Sequence, residues 1–293
     1  MRIRAATRGS ALAIWQTTHV SALLTAVDSS VAVEMVVLDT EGDRRRNVPI
    51  SELGGKGVFA KEVQAAVLDG RADIAVHSAK DLPSVTVDGL VLAGVPERGD
   101  PRDALVGSRL ADLGTGARIG TGSNRRRVQL AHIRPDLEFA GLRGNMHTRL
   151  AKASDFDAIV VAAAALQRLG LADHINEILA PEVMVPQVAQ GALGVECRAD
   201  DAATRDLLSC IEDPGSRMSV DAERAFLAEL GGDCDLPAGA HATHVEHGLA
   251  IDAILAAPHG PQLVRLSGVG SDPAKLGASA ARDIRSALAR AMR

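Results

Sequence analysis

The chain has 293 residues, more than one compact core usually organises, so two or three domains are expected. Hydrophobic residues account for 46% of it and charged residues for 24%, an ordinary balance for a globular protein. The net charge of −5 and the aromatic content of 2% argue against a nucleic-acid binder, which would normally carry a basic domain and base-stacking rings.

Neither a signal peptide nor a membrane span is predicted. The N-terminal residues 1–4 lack an apolar segment, and the longest apolar run, residues 158–166, is about half the length of a membrane-spanning helix. The three cysteines, Cys197, Cys210 and Cys234, form no CxxC pair and leave one thiol over. We therefore expect a cytoplasmic protein without a membrane partner, and we expect Cys197 and Cys210 to be small core residues.

Strands and helices alternate in the first part of the chain. The hydrophobic pattern predicts, in chain order, a strand over residues 2–7, a helix over 11–24, a strand over 33–38, a helix over 59–68, and strands over 73–76 and 91–95. The apolar face expected for the first helix consists of Leu12, Trp15, Val20 and Leu23. Such alternation predicts a parallel sheet, whose functional loops lie at the carboxyl ends of its strands. The polar residues at these ends are Arg8, Ser10, Lys80 and Asp81.

Two small-residue turns, residues 120–123 and 144–145, organise the second part of the chain. Each lies between a predicted strand and a predicted helix, where free backbone N–H groups and the helix dipole favour anions. The arginines around the turns are Arg125, Arg126, Arg127, Arg143 and Arg149. Because guanidinium groups bind carboxylates and phosphates through paired hydrogen bonds, we predict a pocket for a ligand with several negative charges. The alternative is a solvated surface helix, since only five of the 32 basic residues are lysine, and it is strongest for Arg127.

The remaining elements complete this second α/β unit and add an α+β unit. The first group is a strand over residues 157–163, a helix that contains Arg168, a return crossing over 186–192 and a strand over 193–196. From about Ser216 the pattern predicts a helix over 220–230, antiparallel strands over 245–256 and 263–269, and a closing helix over 273–292.

Two residues are candidates for chemistry, and each has a plainer alternative. Asp81 precedes a proline bend, where a carboxylate could transfer protons or stabilise a developing cation. It could equally be a turn residue that bonds its own backbone. Cys234 lies on a turn, a better position for covalent chemistry than a helix interior, but Asp233 and Asp235 disfavour its thiolate.

Three histidines, at positions 241, 244 and 247, suggest a metal site together with Glu246. If this segment is a strand, its pleat directs residues three apart to opposite faces, which argues against shared ligation. We predict no metal.

Seven segments, in order along essentially the full chain, match one family. They are ATRGSALAIWQT from Ala6, GGKGVFAKE from Gly54, ADIAVHSAKDLP from Ala72, IGTGSNRRR from Ile119, LRGNMHTRL from Leu142, VPQVAQGALGVECR from Val185 and GGDCDLP from Gly231. With these segments the chain resembles the hydroxymethylbilane synthase family, also called the porphobilinogen deaminases. It departs from the family pattern at Gly122, Asn124, Ala165 and Asp233.

The resemblance implies an α/β fold of three domains. Two are βα domains like those of type 2 periplasmic binding proteins, with a cleft between them, and the third is a small C-terminal α+β domain. Domain 1 would comprise residues 1–96 and 192–213, with the catalytic aspartate and one cleft wall. Domain 2 would comprise residues 97–191, with the arginine-rich turns, and domain 3 residues 214–293, with the cofactor-bearing cysteine.

The resemblance also implies a transferase of porphyrin and heme biosynthesis. Such an enzyme condenses four porphobilinogen molecules head to tail, with release of ammonia, into the linear tetrapyrrole hydroxymethylbilane. The reaction takes place on a dipyrromethane primer bound covalently through a thioether, here expected on Cys234. Porphobilinogen is then the substrate, and the protein is expected to be a monomer.

The family's site residues map onto this chain position by position. The resemblance implies that Asp81 and Lys80 are catalytic. The implied cofactor contacts are Cys234, Ser10, Lys80, Asp81, Thr121, Ser123, Arg125, Arg126 and Gly191. The implied substrate contacts are Arg8, Ser10, Arg143, Arg149, Arg168 and Gln190. The residues implied in a mobile loop that covers the cleft are Asp43, Lys56 and Phe59.

Two other classes of protein would use some of these features. A non-catalytic anion-binding protein of two lobes would explain the arginines, but it would not explain the third domain or Cys234. A phosphate-ester enzyme would use the same turns, but it lacks metal-binding carboxylates at suitable positions, and residues 120–127 lack the ending of a P-loop.

Overall fold

The computed structural model describes residues 1–40, 60–231, 236–257 and 262–293. These residues form two compact units. Unit 1 comprises Met1–Gly99 and Ala192–Arg217, and unit 2 comprises Asp100–Gly191 and Met218–Arg293. Within the described ranges, every helix is too short or too polar to cross a membrane.

The described elements include thirteen strands and eight α-helices. The strands are β1 (Arg2–Arg8), β2 (Ala32–Leu38), β3 (Ile74–Ser78), β4 (Leu90–Gly94), β5 (Asp103–Val106), β6 (Arg118–Gly120), β7 (Glu138–Ala140), β8 (Ala158–Ala162), β9 (Glu177–Leu179), β10 (Leu193–Arg198), β11 (Ala238–Val245), β12 (Gly248–Ala256) and β13 (Leu263–Gly270). The helices are α1 (Ala11–Val27), α2 (Lys61–Leu68), α3 (Asn124–Ile133), α4 (Met146–Ala151), α5 (Ala163–Arg168), α6 (Ala202–Ser209), α7 (Pro214–Leu230) and α8 (Pro273–Ala291).

Unit 1 contains a five-stranded sheet in the order β2-β1-β3-β10-β4. β1 runs parallel to β2 and β3, whereas β10 runs antiparallel to β3 and β4. The prediction of a purely parallel sheet is therefore wrong for this one strand, which enters after the excursion through residues 100–191. The parallel strands β1 and β3 still end at the same edge of the sheet, as predicted.

The predicted apolar face of helix α1 is confirmed only in part, because Val20 is buried whereas Leu12, Trp15 and Leu23 are half-buried. Gln16 and Thr17 are buried, whereas Trp15 is half-exposed and stacks on His19 with ring centroids 5.0 Å apart. Thr17 Oγ1 donates to the carbonyl of Ala13 at 3.0 Å, and Gln16 Nε2 donates to Ser78 Oγ at 2.7 Å. Because their polar atoms are hydrogen-bonded, these two side chains take core positions that hydrophobicity alone does not assign to them.

Unit 2 contains a second five-stranded sheet, in the order β7-β6-β8-β5-β9. β6 runs parallel to β7 and β8, and β5 runs antiparallel to β8 and β9. In both five-stranded sheets the strand in the fourth position, β10 in unit 1 and β5 in unit 2, is the antiparallel one. Each is the first strand after the chain leaves the other unit. The repeated arrangement places residues 120–123 and 141–145 at the carboxyl edge of this sheet.

The C-terminal part of unit 2 is an antiparallel sheet, β11-β12-β13, covered by α8. Asp272 caps α8 by accepting a hydrogen bond from the N–H of Lys275 at 3.1 Å. The buried residues of α8 recur every three to five positions, at Leu276, Ala281, Ile284 and Leu288. The expected helix over residues 273–292 is thus confirmed almost to the residue.

The predicted fold class, two α/β sheet units with a small C-terminal α+β element, is confirmed. The three-domain boundaries stay a prediction, since the two compact units group residues 218–293 with 100–191. The elements β5, β9, β11 and α6 were not predicted from the pattern.

Candidate functional site

A small cavity of about 50 Å³ lies at the carboxyl edge of the unit 1 sheet. It is lined by Arg8, Ser10, Leu12, Ala13, Gln16, Val76, His77, Ser78 and Asp81. Three of the residues predicted at the ends of β1 and β3 are thus brought together. Ser10 also caps α1, where its Oγ accepts a hydrogen bond from the N–H of Ala13 at 3.2 Å.

Asp81 ends a single 3₁₀ turn, Ala79–Asp81, that directly follows β3. The side chain is half-buried, and within the described ranges its carboxylate has no hydrogen bond or ion pair. A turn residue that bonds its own backbone would show such a bond, so the plainer alternative for Asp81 is wrong. Lys80, beside it, is also half-buried. The cavity therefore contains a carboxylate whose oxygens are available to a ligand.

The first small-residue turn leads from β6 into α3. Ser123 caps α3 by accepting a hydrogen bond from the N–H of Arg126 at 3.4 Å, and Thr121 Oγ1 accepts one from the N–H of Ser123 at 3.2 Å. A Cβ at Gly122 would lie 2.9 Å from the carbonyl oxygen of Leu142, so the turn passes close to the segment that carries Arg143. The two predicted turns are neighbours.

Arg125 and Arg126 are buried around a carboxylate that was not predicted, Asp103 at the start of β5. Asp103 is inaccessible to solvent, and Arg125 and Arg126 are 3% and 5% exposed. Arg125 Nη2 donates to Asp103 Oδ2 at 2.7 Å, and Arg126 Nε and Nη2 lie 3.0 and 2.7 Å from Asp103 Oδ1. The remaining Nη1 groups donate to the carbonyls of Val185 and Val160.

This cluster fixes the ionisation of Asp103. Burial alone would raise the pKa of the Asp103 carboxyl, but the charges of Arg125 and Arg126 and the amide of Gln190 together lower that pKa to about 2. One positive charge is left over among the three groups. The buried Nε of Arg125 has no hydrogen-bond partner in the described part of the chain.

The second small-residue turn leads from β7 into α4. Asn145 caps α4 with its Oδ1, which accepts hydrogen bonds from the N–H and the hydroxyl of Thr148, both at 2.9 Å. Arg149 Nε donates to the carbonyl of Gly144 at 2.9 Å. The guanidinium of Arg143 is half-buried and, in the described ranges, forms no ion pair or hydrogen bond. It is therefore a cation that a bound anion could neutralise.

Arg168, at the end of α5, is held against the residues that precede β10. Its Nη2 donates to the carbonyl of Gly191 at 2.6 Å, and burial lowers the pKa of its guanidinium to about 10. Gln190 is fully buried, and its Nε2 donates to Asp103 Oδ1 at 2.9 Å and to the carbonyl of Pro101 at 2.8 Å. These residues thus form one network with the Asp103 cluster.

The predicted site residues fall into two groups, one in each unit. Unit 1 carries Arg8, Ser10, Lys80 and Asp81, and unit 2 carries Thr121, Ser123, Arg125, Arg126, Arg143, Arg149, Arg168, Gln190 and Gly191. Arg127 is exposed, as the surface alternative for that residue expected. The predicted residues Asp43, Lys56, Phe59 and Cys234 lie outside the described residues.

Two residues of the site were not predicted from the sequence. Asp103 binds Arg125 and Arg126, and Gln16 lines the cavity in unit 1. The available signal for Asp103 was its place after a proline-rich linker and before an apolar run, where a charged residue is unusual. No grouping of three or more possible metal ligands occurs among the described residues. His241 Nδ1 lies 3.6 Å from Glu223 Oε1.

Comparison with known proteins gives a consistent result. Residues 3–206 match the family model for "Porphobilinogen deaminase, dipyromethane cofactor binding domain", and residues 218–286 match that for "Porphobilinogen deaminase, C-terminal domain". The porphobilinogen deaminase of Syntrophotalea carbinolica is 46% identical over 268 residues, which are 90% of this chain and 85% of that protein. That of Chromobacterium violaceum is 46% identical over 274 residues, 92% of this chain and 89% of that protein.

Among solved structures, the methionine-binding protein MetQ aligns with a TM-score of 0.43 and 10% identity. The alignment covers 76% of this chain and 94% of that one.

The Asp103 cluster makes a prediction about stability and pH. Asp103→Asn leaves two buried guanidiniums without their carboxylate, so we expect the free energy of unfolding at pH 7 to fall by about 3–5 kcal/mol in urea titrations. Because the folded-state pKa of Asp103 is lowered from 3.8 to about 2, its ionised form stabilises the fold above pH 3.8 and this contribution is lost as the pH falls toward 2. The difference between wild type and variant should therefore shrink over that window. A difference that stays constant from pH 7 to pH 2 would contradict the assignment, and Asp136→Asn, at a partly exposed surface ion pair, is the control.

Proposed function

Because this chain belongs to the porphobilinogen deaminase family, we propose that Asp81 and Lys80 carry its catalytic chemistry and that its arginines bind the carboxylates of cofactor and substrate. The chain is a transferase that assembles a tetrapyrrole from porphobilinogen, with a dipyrromethane cofactor. The observation that carries the residue assignment is the Asp81 carboxylate, which lines a cavity with Arg8 and Ser10 and has no partner in the part of the chain that the structure describes.

The residues present fit a dipyrromethane. Pyrroles of this class carry acetate and propionate side chains, so their recognition requires cations and N–H donors without competing carboxylates. The guanidinium of Arg143 and the buried Nε of Arg125, which have no partner among the described residues, meet this requirement. We propose that Cys234 binds the group covalently and that it is held by Ser10, Lys80, Asp81, Thr121, Ser123, Arg125, Arg126 and Gly191.

When bound, the dipyrromethane would supply the terminal pyrrole carbon to which the first unit is joined, and each later unit would be joined to the unit added before it. Asp81 acts on the incoming porphobilinogen. Loss of ammonia breaks the carbon–nitrogen bond of the aminomethyl group and leaves a delocalised cation, which a fixed carboxylate stabilises more strongly than mobile water does. Asp81 can also accept a hydrogen bond from the pyrrole N–H, because its oxygens have no protein donor in the described ranges.

Arginines are the proposed binding partners of the substrate carboxylates. We propose that Arg8, Arg143, Arg149 and Arg168 bind them, together with Ser10 and Gln190. Arg143 is the strongest of these assignments, because its half-buried guanidinium has no partner among the described residues and gains a charge-assisted bond when an anion binds. Burial of Arg168, which lowers its pKa to about 10, indicates a poorly hydrated cation that has little water to lose on binding.

Further assignments rest on the family resemblance and the chain. We propose domains of residues 1–96 with 192–213, 97–191 and 214–293. The start of the third domain is supported by the break between the two family matches, which lies between residues 206 and 218. Asp43, Lys56 and Phe59 are proposed to cover the bound substrate. Free thiols at Cys197 and Cys210 favour the cytoplasm as the compartment, and we propose a monomer.

Asp81 provides the first functional prediction. Asp81→Asn removes the charge but keeps the shape, so the protein should fold and carry its cofactor while turnover of porphobilinogen falls by about 10²-fold or more. Steady-state rates and intact mass measure the two properties separately. Asp88→Asn, on an exposed loop, is the matched control, and near-normal turnover of Asp81→Asn would remove Asp81 from its role.

Arg143 provides the second. Arg143→Ala leaves one ligand carboxylate without a charged partner in a half-buried position, so we expect kcat/KM for porphobilinogen to fall by about 10- to 100-fold. Mass spectra of the enzyme during turnover should show elongation intermediates that accumulate. Arg127→Ala is the control, since Arg127 is exposed. Equal values of kcat/KM for the two variants would exclude Arg143 as a carboxylate anchor.

Cofactor attachment provides the third. The purified wild-type protein should be heavier than its sequence by one dipyrromethane unit, and Cys234→Ser should have the mass of the sequence alone. Cys210→Ser, at an exposed thiol, should keep the added mass. An added mass that persists in Cys234→Ser would place the attachment at another residue.

A further inference from the structure

Ala189 has an unusual backbone conformation. Its φ is 57°, and among the described residues it is the one non-glycine residue with a positive φ. An L-amino acid with a Cβ is strained in this region, by about 1–2 kcal/mol, because the Cβ approaches the neighbouring carbonyl. The surrounding structure therefore has to hold Ala189 in place.

Glu223, on α7, provides such a hold. Its side chain is fully buried, and its Oε2 accepts a hydrogen bond from the N–H of Ala189 at 2.6 Å. Its Oε1 accepts a second one from the N–H of Ala242, on β11, at 2.9 Å. Hydrogen bonds to a carboxylate are about twice as strong as neutral ones, and burial excludes competing water. One side chain thus links the strained turn to the C-terminal sheet.

The turn that follows Ala189 reaches the arginine network. Gln190, the next residue, donates to Asp103, the partner of Arg125 and Arg126. The carbonyl of Gly191 accepts from Arg168 at 2.6 Å. A change in the backbone of Ala189 therefore moves the groups that orient three arginines.

The other partner of Glu223 is close in sequence to the proposed attachment residue. β11 begins at Ala238, four residues after Cys234, and Ala242 is its fifth residue. Glu223 thereby joins the strand that follows the attachment segment to the turn that contacts the arginines.

We propose that Glu223 is a positioning residue for the transferase reaction: by holding Ala189 in its left-handed conformation, it places Gln190 and the Gly191 carbonyl against the carboxylate-binding arginines. This rests on the proposed function, in which Arg125, Arg126 and Arg168 bind cofactor or substrate carboxylates. Glu223 itself touches no reacting atom in this proposal.

The test is a double-mutant cycle on the full chain with Glu223→Met and Ala189→Gly. Methionine has nearly the shape of glutamate but no acceptor, so Ala189 loses its hold and kcat/KM for porphobilinogen should fall by about 10-fold or more. Glycine takes a positive φ without strain, so Ala189→Gly alone should be nearly as active as wild type. The double variant should recover most of the lost kcat/KM, within about 3-fold of wild type, which implies strong coupling between the two sites.

If Glu223 had a purely structural role, the loss of kcat/KM caused by Glu223→Met would be the same with alanine or glycine at position 189. A double variant no more active than Glu223→Met would overturn the proposal, as would wild-type activity in Glu223→Met. If Glu223→Met does not fold, a double variant that folds with kcat/KM within about 3-fold of wild type supports the proposal, and a double variant that does not fold or has low kcat/KM contradicts it.

Two matched controls separate strain from other effects. Glu229→Met makes the same substitution on the same helix, at a partly exposed carboxylate paired with Arg282 and Arg285, and its effect should not change with Ala189→Gly. Ala180→Gly makes the same change at an exposed position without a positive φ. Ala189→Gly should raise Tm by about 2 °C, whereas Ala180→Gly should not raise it.

The cycle also distinguishes this proposal from the site assignment. If the arginines do not bind the carboxylates, Arg143→Ala and Arg168→Ala would keep wild-type kcat/KM. The coupling between residues 189 and 223 could still be read from Tm in that case. Coupling in Tm without coupling in kcat/KM would overturn the positioning role alone.

Discussion

The arginine-rich side of unit 2 is organised around one buried ion cluster, in which Asp103 accepts hydrogen bonds from Arg125, Arg126 and Gln190. Two guanidiniums would not remain buried without a countercharge, since each loses most of its hydration. Asp103 supplies that charge from the first residue of β5, the antiparallel strand inserted into the sheet. Burial of the two arginines therefore depends on the position of β5 in the sheet.

The arginines of unit 2 consequently divide into two kinds. Arg125 and Arg126 use most of their donors on Asp103 and on backbone carbonyls, and they contribute a fixed positive charge. The buried Nε of Arg125 has no partner in the described ranges. Arg143 is half-buried and has no partner in the described ranges, so it can bind an anion without first breaking a protein contact. A site that must accept a product of growing size needs both kinds, because fixed charge sets the field and free donors make the individual bonds.

Much of this arrangement could be predicted from the sequence, because strand ends and turn residues are local signals. Asp81, Ser123 and Arg143 were predicted at the carboxyl ends of strands, and they lie there. The pairing of Arg125 with Asp103 could not be predicted, since the partners are 22 residues apart and meet only across the folded sheet. Strand β11 was missed because His241 and His244 interrupt its apolar pattern, and Cys210, predicted in the core, is exposed at the end of α6.

The charge of the cluster also explains why ionised side chains, and not apolar ones, occupy this buried position. Replacing a buried ion cluster by apolar residues of similar volume is often neutral or stabilising, so folding alone does not require Asp103 and its two arginines. An apolar replacement would, however, remove the positive charge beside the turns and the acceptor that fixes Gln190. The cluster is therefore better explained by the charge and geometry it gives to the side of unit 2 where we propose that carboxylates bind. Its cost to folding is tolerated because the buried carboxylate is fully hydrogen-bonded, and the excess positive charge that remains is the one we propose a pyrrole carboxylate neutralises.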